Sequence, residues 1–570
     1  MNKIKSLMAL AAATAMIAVM LTACGGSDQS VPQPLQTDEP GTQQPAEENV
    51  TDIVFDNQNI LVDGEQVGSS ADSAVYISND IIYYQDRDTY DSGNVYGEGT
   101  AEERHSAEKA AEHTVVNIAA AGTYRLQGKL PLGQVRIDLG EDAAEDPSAV
   151  VTLILDGADI TCEVAPAIIF MNVYECDNGW STETATAEVD TSAAGANVVI
   201  ADGSINNING AHVARIYKDN GEEKKLWKQD GAFYSYMSMN VNGGEEGSGL
   251  LNITADNEGL DSELHLTING GNINIRSGND GINTNEDGVS VTTINGGNIH
   301  IIAGLGAEGD GIDSNGWLVV NGGTVVSAAN PGADAGMDSD MGSYINGGTV
   351  VALGSTMDWA ESDSEQVTLN LQFAQYEASD SAIIIADEEG KVVFAYDPSE
   401  DEVIAENIRK FMGAIISSPA LEMGKTYQVY IGGKVAGTET AGIYDADSVT
   451  GFEGAVQQQY TGTDVRRHPG GFGRGERPEG WENMTPPEGF EEGKFPPEMP
   501  EGGFERGERP EPPEGWENMV PPEGFEEGTF PPEMPQDGFG EDGTITEVEA
   551  STQFFMQDKV NNFSGVTAVQ

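Results

Sequence analysis

The chain has 570 residues, with 27 Lys and Arg against 95 Asp and Glu, a formal charge of −68. So acidic a surface repels a phosphate backbone and excludes nucleic-acid binding, while suiting divalent cations better than anionic ligands. Three cysteines cannot build a disulfide scaffold, 38 % hydrophobic residues are too few for a multispan membrane protein, and 71 glycines point to β-structure with many tight turns.

The first residues read as an address. Lys3 and Lys5 precede an apolar run from Leu7 to Leu21, which ends in Leu21-Thr22-Ala23-Cys24. Its charge and length are those of an export signal, too short for a good membrane span. The ending resembles the bacterial lipobox. That resemblance implies a signal over 1–23 and a mature N-terminus of diacylglyceryl-Cys24. The protein would then be anchored by lipid on the extracytoplasmic face of the cell membrane. Residues 24–50 carry Pro, Gln, Glu and Thr with no apolar period, as a solvated tether does. Export also permits a disulfide between Cys162 and Cys176.

Residues 51–113 read as an irregular N-terminal region. Beyond them the chain repeats. Asn-Gly-Gly recurs at Asn242, Asn269, Asn295, Asn321 and Asn346, at spacings of 27, 26, 26 and 25. Each of the last four copies has a strand-like stretch on either side, such as Leu266-Thr267-Ile268 before and Ile273-Asn274-Ile275 after. Period-2 alternation places Leu266, Ile268, Ile273 and Ile275 inside. Short strands stacked once per repeat, all running the same way, make a parallel coil with turns about 4.8 Å apart. Because parallel crossovers are overwhelmingly right-handed, the expectation is an all-β, right-handed parallel β-helix over 114–371. Gly-Gly supplies positive φ at the corners, and the aligned Asn side chains are expected to stack as an amide ladder inside a turn.

A second motif lies between these copies: Glu258-Gly-Leu-Asp261-Ser, Asp280-Gly-Ile-Asn283-Thr, Asp310-Gly-Ile-Asp313-Ser and Ala335-Gly-Met-Asp338-Ser. Alternation turns Leu260, Ile282, Ile312 and Met337 inward and sets Asp261, Asn283, Asp313 and Asp338 on an outer edge. Oxygen-rich ligands one strand spacing apart suit Ca²⁺. The candidate metal ligands are Asp261, Asp310, Asp313 and Asp338, helped by Asp256, Glu258, Asp280 and Asp340. Trp317 and Tyr344 fall on outward positions where aromatic faces can stack on sugar rings, and His300 and Asn274 face outward elsewhere.

Residues 372–465 continue with strand patterns at Ala382–Ala386, Val392–Tyr396 and Tyr427–Ile431, and a short helix is expected around Val403–Met412. From 466 to 543 a Pro-, Gly- and Glu-rich segment repeats itself, with Trp481 echoed by Trp516, as a disordered or polyproline-like arm would. Residues 544–570, with Phe554, Phe555 and Phe563, are apolar enough to pack back on the body.

Several motifs occur in a telling order. They are Gly122-Thr-Tyr124-Arg-Leu-Gln-Gly128, Leu155-Asp156-Gly157-Ala-Asp159-Ile, Asp310-Gly-Ile-Asp313-Ser-Asn-Gly316, Asn321-Gly-Gly323, and Ser417-Ser-Pro419 through Tyr427 to Gly432-Gly433. Over roughly residues 110–450 the chain resembles the clostridial carbohydrate-binding β-helix lipoproteins, which bind cellulose and acidic sugars. The resemblance implies a pectate-lyase-like β-helix with bound calcium and a polysaccharide partner. Ala335 and Asn283 depart from the acidic pattern. A lyase of this fold needs a basic side chain beside the metal, and between Leu250 and Leu371 Arg276 is the single Lys or Arg. The cluster Arg215, Lys218, Lys224, Lys225 and Lys228 lies before the regular turns. The expectation is therefore a monomeric, non-catalytic binding protein, with a calcium-dependent polysaccharide lyase and an adhesin or structural surface protein as alternatives.

Overall fold

The computed structural model describes residues 50–56, 59–83, 95–97, 105–177, 181–218, 225–332, 334–355, 358–407, 409–465 and 544–569. Cys24 with its signal and tether, and the repeated arm of 466–543, lie outside the described residues. Among the described residues no helix is long and apolar enough to cross a membrane.

The repeats form the parallel-strand topology of a β-solenoid. Three sheets run along it, and each turn places one short strand on each. The first holds Thr114–Ile118, Gly133–Asp138, Ile168–Asn172, Gly231–Ser235, Glu258–Ser262, Ile282–Thr284 and Ile312–Ser314, all parallel. The second stacks Ala196–Ile200, Met239–Gly243, Leu266–Ile268, Val291–Ile294, Trp317–Val320 and Gly342–Ile345. The third stacks Ile205–Gly210, Leu250–Ala255, Asn272–Ser277, Asn298–Ile302, Thr324–Ala328 and Thr349–Gly354. The long strands Gly122–Leu130 and Val151–Thr161 bend from the second sheet into the third.

Alternation holds inside the coil. Leu260, Ile282 and Ile312 from the first sheet, and Met337 at the matching position of the next turn, are fully buried with Leu266, Ile268, Ile273 and Ile275. Thr284 and Ser314 also point inward and share a hydrogen bond of 2.8 Å. The Gly of the Asp-Gly-Ile motif is required by close approach: a Cβ on Gly281 would stand 2.2 Å from Ile301 Cγ2. The Asn ladder is continuous, each Nδ2 donating to the Oδ1 one turn earlier, from Asn346 through Asn321, Asn295 and Asn269 to Asn242, at 2.9–3.0 Å. It runs along an exposed corner instead of inside a turn, because the corner glycines at 271, 297, 323 and 348 carry positive φ and swing the Asn outward.

Two stretches differ from expectation. Residues 51–113 are not wholly irregular. Val50–Asp56 lies parallel to Gly122–Leu130, Asn59–Val62 folds back against it, and Val75–Ser78 lies antiparallel to Thr114–Ile118. Around Val403–Met412 there is only a 3₁₀ turn, Ala405–Asn407, before the strand Phe411–Ser417. Phe411 and Met412 there belong to a strand, and Phe411 is buried against Phe373, their ring centroids 5.6 Å apart.

The C-terminal module is built mostly from antiparallel strands, with Val560–Ala568 parallel to Thr368–Glu377. Phe411–Ser417 joins Thr349–Gly354 on one side and Thr368–Glu377 on the other. Val560–Ala568 returns to lie between Thr368–Glu377 and Val456–Val465. A second core unites Leu369, Leu371, Ile416, Phe554 and Phe563 with Ile302, Val326 and Val351, the outward residues of the third sheet. The module thus covers the outer face of that sheet.

Candidate functional site

The acidic edge forms where each turn passes from the third sheet into the first. Backbone bonds set its register. Gly259 N–H donates to the Asp280 carbonyl, Gly281 to Asp310 and Gly311 to Ala335, at 2.9–3.0 Å. Hence Glu258, Asp280, Asp310 and Ala335 align in one row. Strand register aligns Asp261, Asn283 and Asp313 in a second. Asp338 extends that row, since its N–H donates to the Ile312 carbonyl and its carbonyl accepts from Ser314.

The edge is far less solvated than its outward direction suggests. Asp261 is 0 % exposed, Asn283 4 % and Glu258 3 %. Burial, reinforced by Asp338 and Asp280, pushes the Asp310 carboxyl up to about 9. Burial and the charges of Asp280, Asp338 and Asp310 raise Asp313 well above the usual carboxylate range. Asp358 joins them from the loop after Thr349–Gly354. It is raised by burial and by a hydrogen bond with Asp338. Asp280, Asp310, Asp313, Asp338 and Asp358 therefore share one electrostatic cluster. Asp280 Oδ1 accepts from the Asp310 N–H at 2.7 Å. Asn283 Oδ1 is buried without a hydrogen-bond partner. Beside Asp358 opens a cavity of ≈ 10 Å³, bounded by Ala335, Gly336 and Trp359, about the space of one water.

Asp261 accepts from Asn285 Nδ2 at 2.6 Å. Asp256 is exposed and bound instead to His212, through its backbone N–H at 3.0 Å and its Nδ1 at 3.2 Å. Asp340 is exposed. Among the described residues, no group of three or more His, Cys, Asp or Glu stands in the geometry of a metal site.

The two aromatic candidates fare differently. Trp317 does point away from the coil, but it is 9 % exposed. It packs with Val291 and Val319 beneath Ala185, Ala187 and Val189, so its ring offers no face for a sugar. Alternation gives direction and not cover, and the cover comes from a loop over 100 residues earlier in the chain. Tyr344 remains partly exposed at the margin of the same cluster.

Asp358 was missed because it follows the last motif copy, in a loop with no period. His300 is buried, and its Nδ1 lies 2.7 Å from Asp401 Oδ2. Arg276 Nη2 donates to the Glu402 carbonyl at 3.1 Å. Cys162 and Cys176 are free thiols. Burial raises both to about 12. Arg215, Lys218, Lys225 and Lys228 of the basic cluster sit on the hairpin Val213–Lys218 and Lys225–Gln229, inserted between the third and first sheets of one turn; Lys224 lies outside the described residues.

Residues 112–367 match the family model of the carbohydrate-binding domain-containing proteins. The matched stretch begins at the first parallel turns and ends one residue before Thr368–Glu377 opens the antiparallel module. Among solved structures, the polysaccharide lyase-like protein from C. thermocellum, in its gadolinium derivative, is 20 % identical with a TM-score of 0.30. That alignment covers 52 % of this chain and 92 % of that one. No curated protein matches the chain.

Proposed function

We propose that this protein is a lipid-anchored surface protein that binds polysaccharide without cleaving it, through a right-handed, pectate-lyase-like β-helix holding calcium. One observation carries the reading. The stretch matching the carbohydrate-binding family coincides with the repeated parallel turns, and those turns carry the acidic edge. Right-handedness follows from the strong preference of parallel crossovers.

The donor set at the edge suits calcium, which takes six to eight oxygens from carboxylates, carbonyls and water. Asp280, Asp310, Asp313, Asp338 and Asp358 repel one another, and Asn283 Oδ1 adds a neutral acceptor in the row of Asp313 and Asp338. A divalent ion would relieve that repulsion once side chains turn to meet it. When bound, it would supply charge that lets an acidic chain hold an acidic glycan. Non-catalytic binding is supported by Arg276, whose side chain leans on the C-terminal module.

Isothermal titration of the chain with polygalacturonate, with and without Ca²⁺, tests the reading while absorbance reports unsaturated uronides. Saturable, Ca²⁺-dependent heat without absorbance is expected. Rising absorbance would make it a lyase acting through the basic hairpin, and silence with every glycan would leave an adhesin or scaffold.

A further inference from the structure

A groove of ≈ 310 Å³ opens on the outer face of the third sheet, between that sheet and the C-terminal module. It is lined by Asn274, Asn298, His300, Thr324 and Thr349, with Thr440, Ala441 and Ile443 as its far wall. No Lys, Arg, Asp or Glu lines it, in a chain whose formal charge is −68. Its volume is in the range of small-molecule sites.

Two amide rows of the third sheet end in this groove. In one, Asn274 Nδ2 donates to Asn252 Oδ1 and Asn252 Nδ2 to Asn207 Oδ1, both at 3.0 Å. Each amide uses its carbonyl for the next turn until Asn274, whose in-register successor is His300. In the other, Asn298 Nδ2 donates to Asn272 Oδ1 at 2.9 Å, and the row continues as Thr324 and Thr349. Among the described residues, Asn274 Oδ1, Asn298 Oδ1 and the Thr324 and Thr349 hydroxyls have no protein partner. His300 commits Nδ1 to the Asp401 carboxylate, which also accepts from Val403 N–H. An accepting carboxylate places a proton on Nδ1 and leaves Nε2 as the ring nitrogen that can meet a ligand.

The groove therefore presents acceptors and hydroxyls on rigid strands about 4.8 Å apart, with no charge. We propose that it binds a neutral, hydroxyl-rich saccharide, whose O–H groups donate to Asn274 and Asn298, whose oxygens accept from Thr324 and Thr349, and one of whose hydroxyls meets His300 Nε2. The proposal takes its ligand class from the polysaccharide-binding reading but is independent of the acidic edge and of calcium.

The test titrates the full chain with cellohexaose in chelator. Saturable binding is expected. The double variant Thr324→Val with Thr349→Val keeps side-chain volume and removes both hydroxyls, and it should weaken binding tenfold or more without lowering the melting temperature. Asp310→Asn with Asp313→Asn should leave cellohexaose affinity unchanged while abolishing Ca²⁺-dependent binding of polygalacturonate. That pair of variants separates failure of the groove from failure of the acidic edge. As a second readout independent of any substitution, the ¹⁵N resonance of His300 Nε2 should move on saturation. No cellohexaose binding in chelator, affinity indifferent to the Thr pair, or an unmoved Nε2 resonance would each overturn the proposal.

Discussion

The parallel turns and the antiparallel module solve the same burial problem by opposite means. In the turns, each strand meets a near copy of itself about 26 residues away, as Asn295 meets Asn269. In the module, Val456–Val465 pairs with Val560–Ala568 across the whole repeated arm. Contacts of the first kind are added one turn at a time, as in other repeat proteins. Those of the second kind form together or not at all, because distant segments must first be brought into register. The difference teaches where each region is vulnerable.

The largest effect is expected in the module. Phe554 and Phe563 are buried there, their ring centroids 4.9 Å apart and each within 5 Å of Tyr460. Phe554→Ala should cost about 3–5 kcal/mol and release Thr544–Ser551 and Val560–Ala568 together. Limited proteolysis would read this as cleavage in 544–569 with the turns before 355 intact. Simultaneous loss of both regions would show that they fold as one unit.

A single-turn lesion comes next. Gly281→Ala drives a methyl into Ile301 and the Gly311 carbonyl, and overpacking of this kind costs about 1–3 kcal/mol. Hydrogen exchange should rise in the turns holding Ile282 and Ile312 before it rises in the module.

The acidic edge supplies a pH signature. Asp310 and Asp313 have folded pKa values raised above the usual carboxylate value of 3.8. The folded state therefore binds more protons than the unfolded one. The contribution of this edge to stability is greatest below that value and falls as pH rises toward about 9, where Asp310 ionises. Melting temperature in chelator should decline across that window. Added Ca²⁺ should flatten the decline, and Asp310→Asn should raise stability at pH 8 by about 1–2 kcal/mol. A melting temperature that climbs with pH in chelator would contradict the burial of this edge.

The smallest effect belongs to the exposed ladder. Asn295→Ala removes one rung whose Nδ2 donates to Asn269 and whose Oδ1 accepts from Asn321. Exposed rungs can turn to water, so the expected cost is only about 0.5–1.5 kcal/mol by thermal melting.

The sequence made the interior legible because the coil repeats its own solution. Leu260, Ile282, Ile312 and Met337 share a motif position and share the core. Alternation also gave the outward direction of Asp313 and Trp317, but direction is a property of one strand. Exposure depends on what else lies there. Ala185 and Val189 cover Trp317, and Asp401 closes over His300. These partners come from segments without any period, at separations that no local pattern encodes. Asp358 was hidden for the same reason, since its place in the acid cluster is fixed by the fold and not by a repeat.

A stack of parallel strands is also a template on which further copies could grow without limit. Here the direction of the chain reverses at the boundaries. Asn59–Val62 lies antiparallel to Val50–Asp56, and Val75–Ser78 antiparallel to the first strand of the first sheet. At the other end Phe411–Ser417 lies antiparallel to Thr349–Gly354. A second molecule approaching these edges meets strands running the wrong way for its own turns. Antiparallel neighbours at these edges disfavour the addition of further parallel turns there.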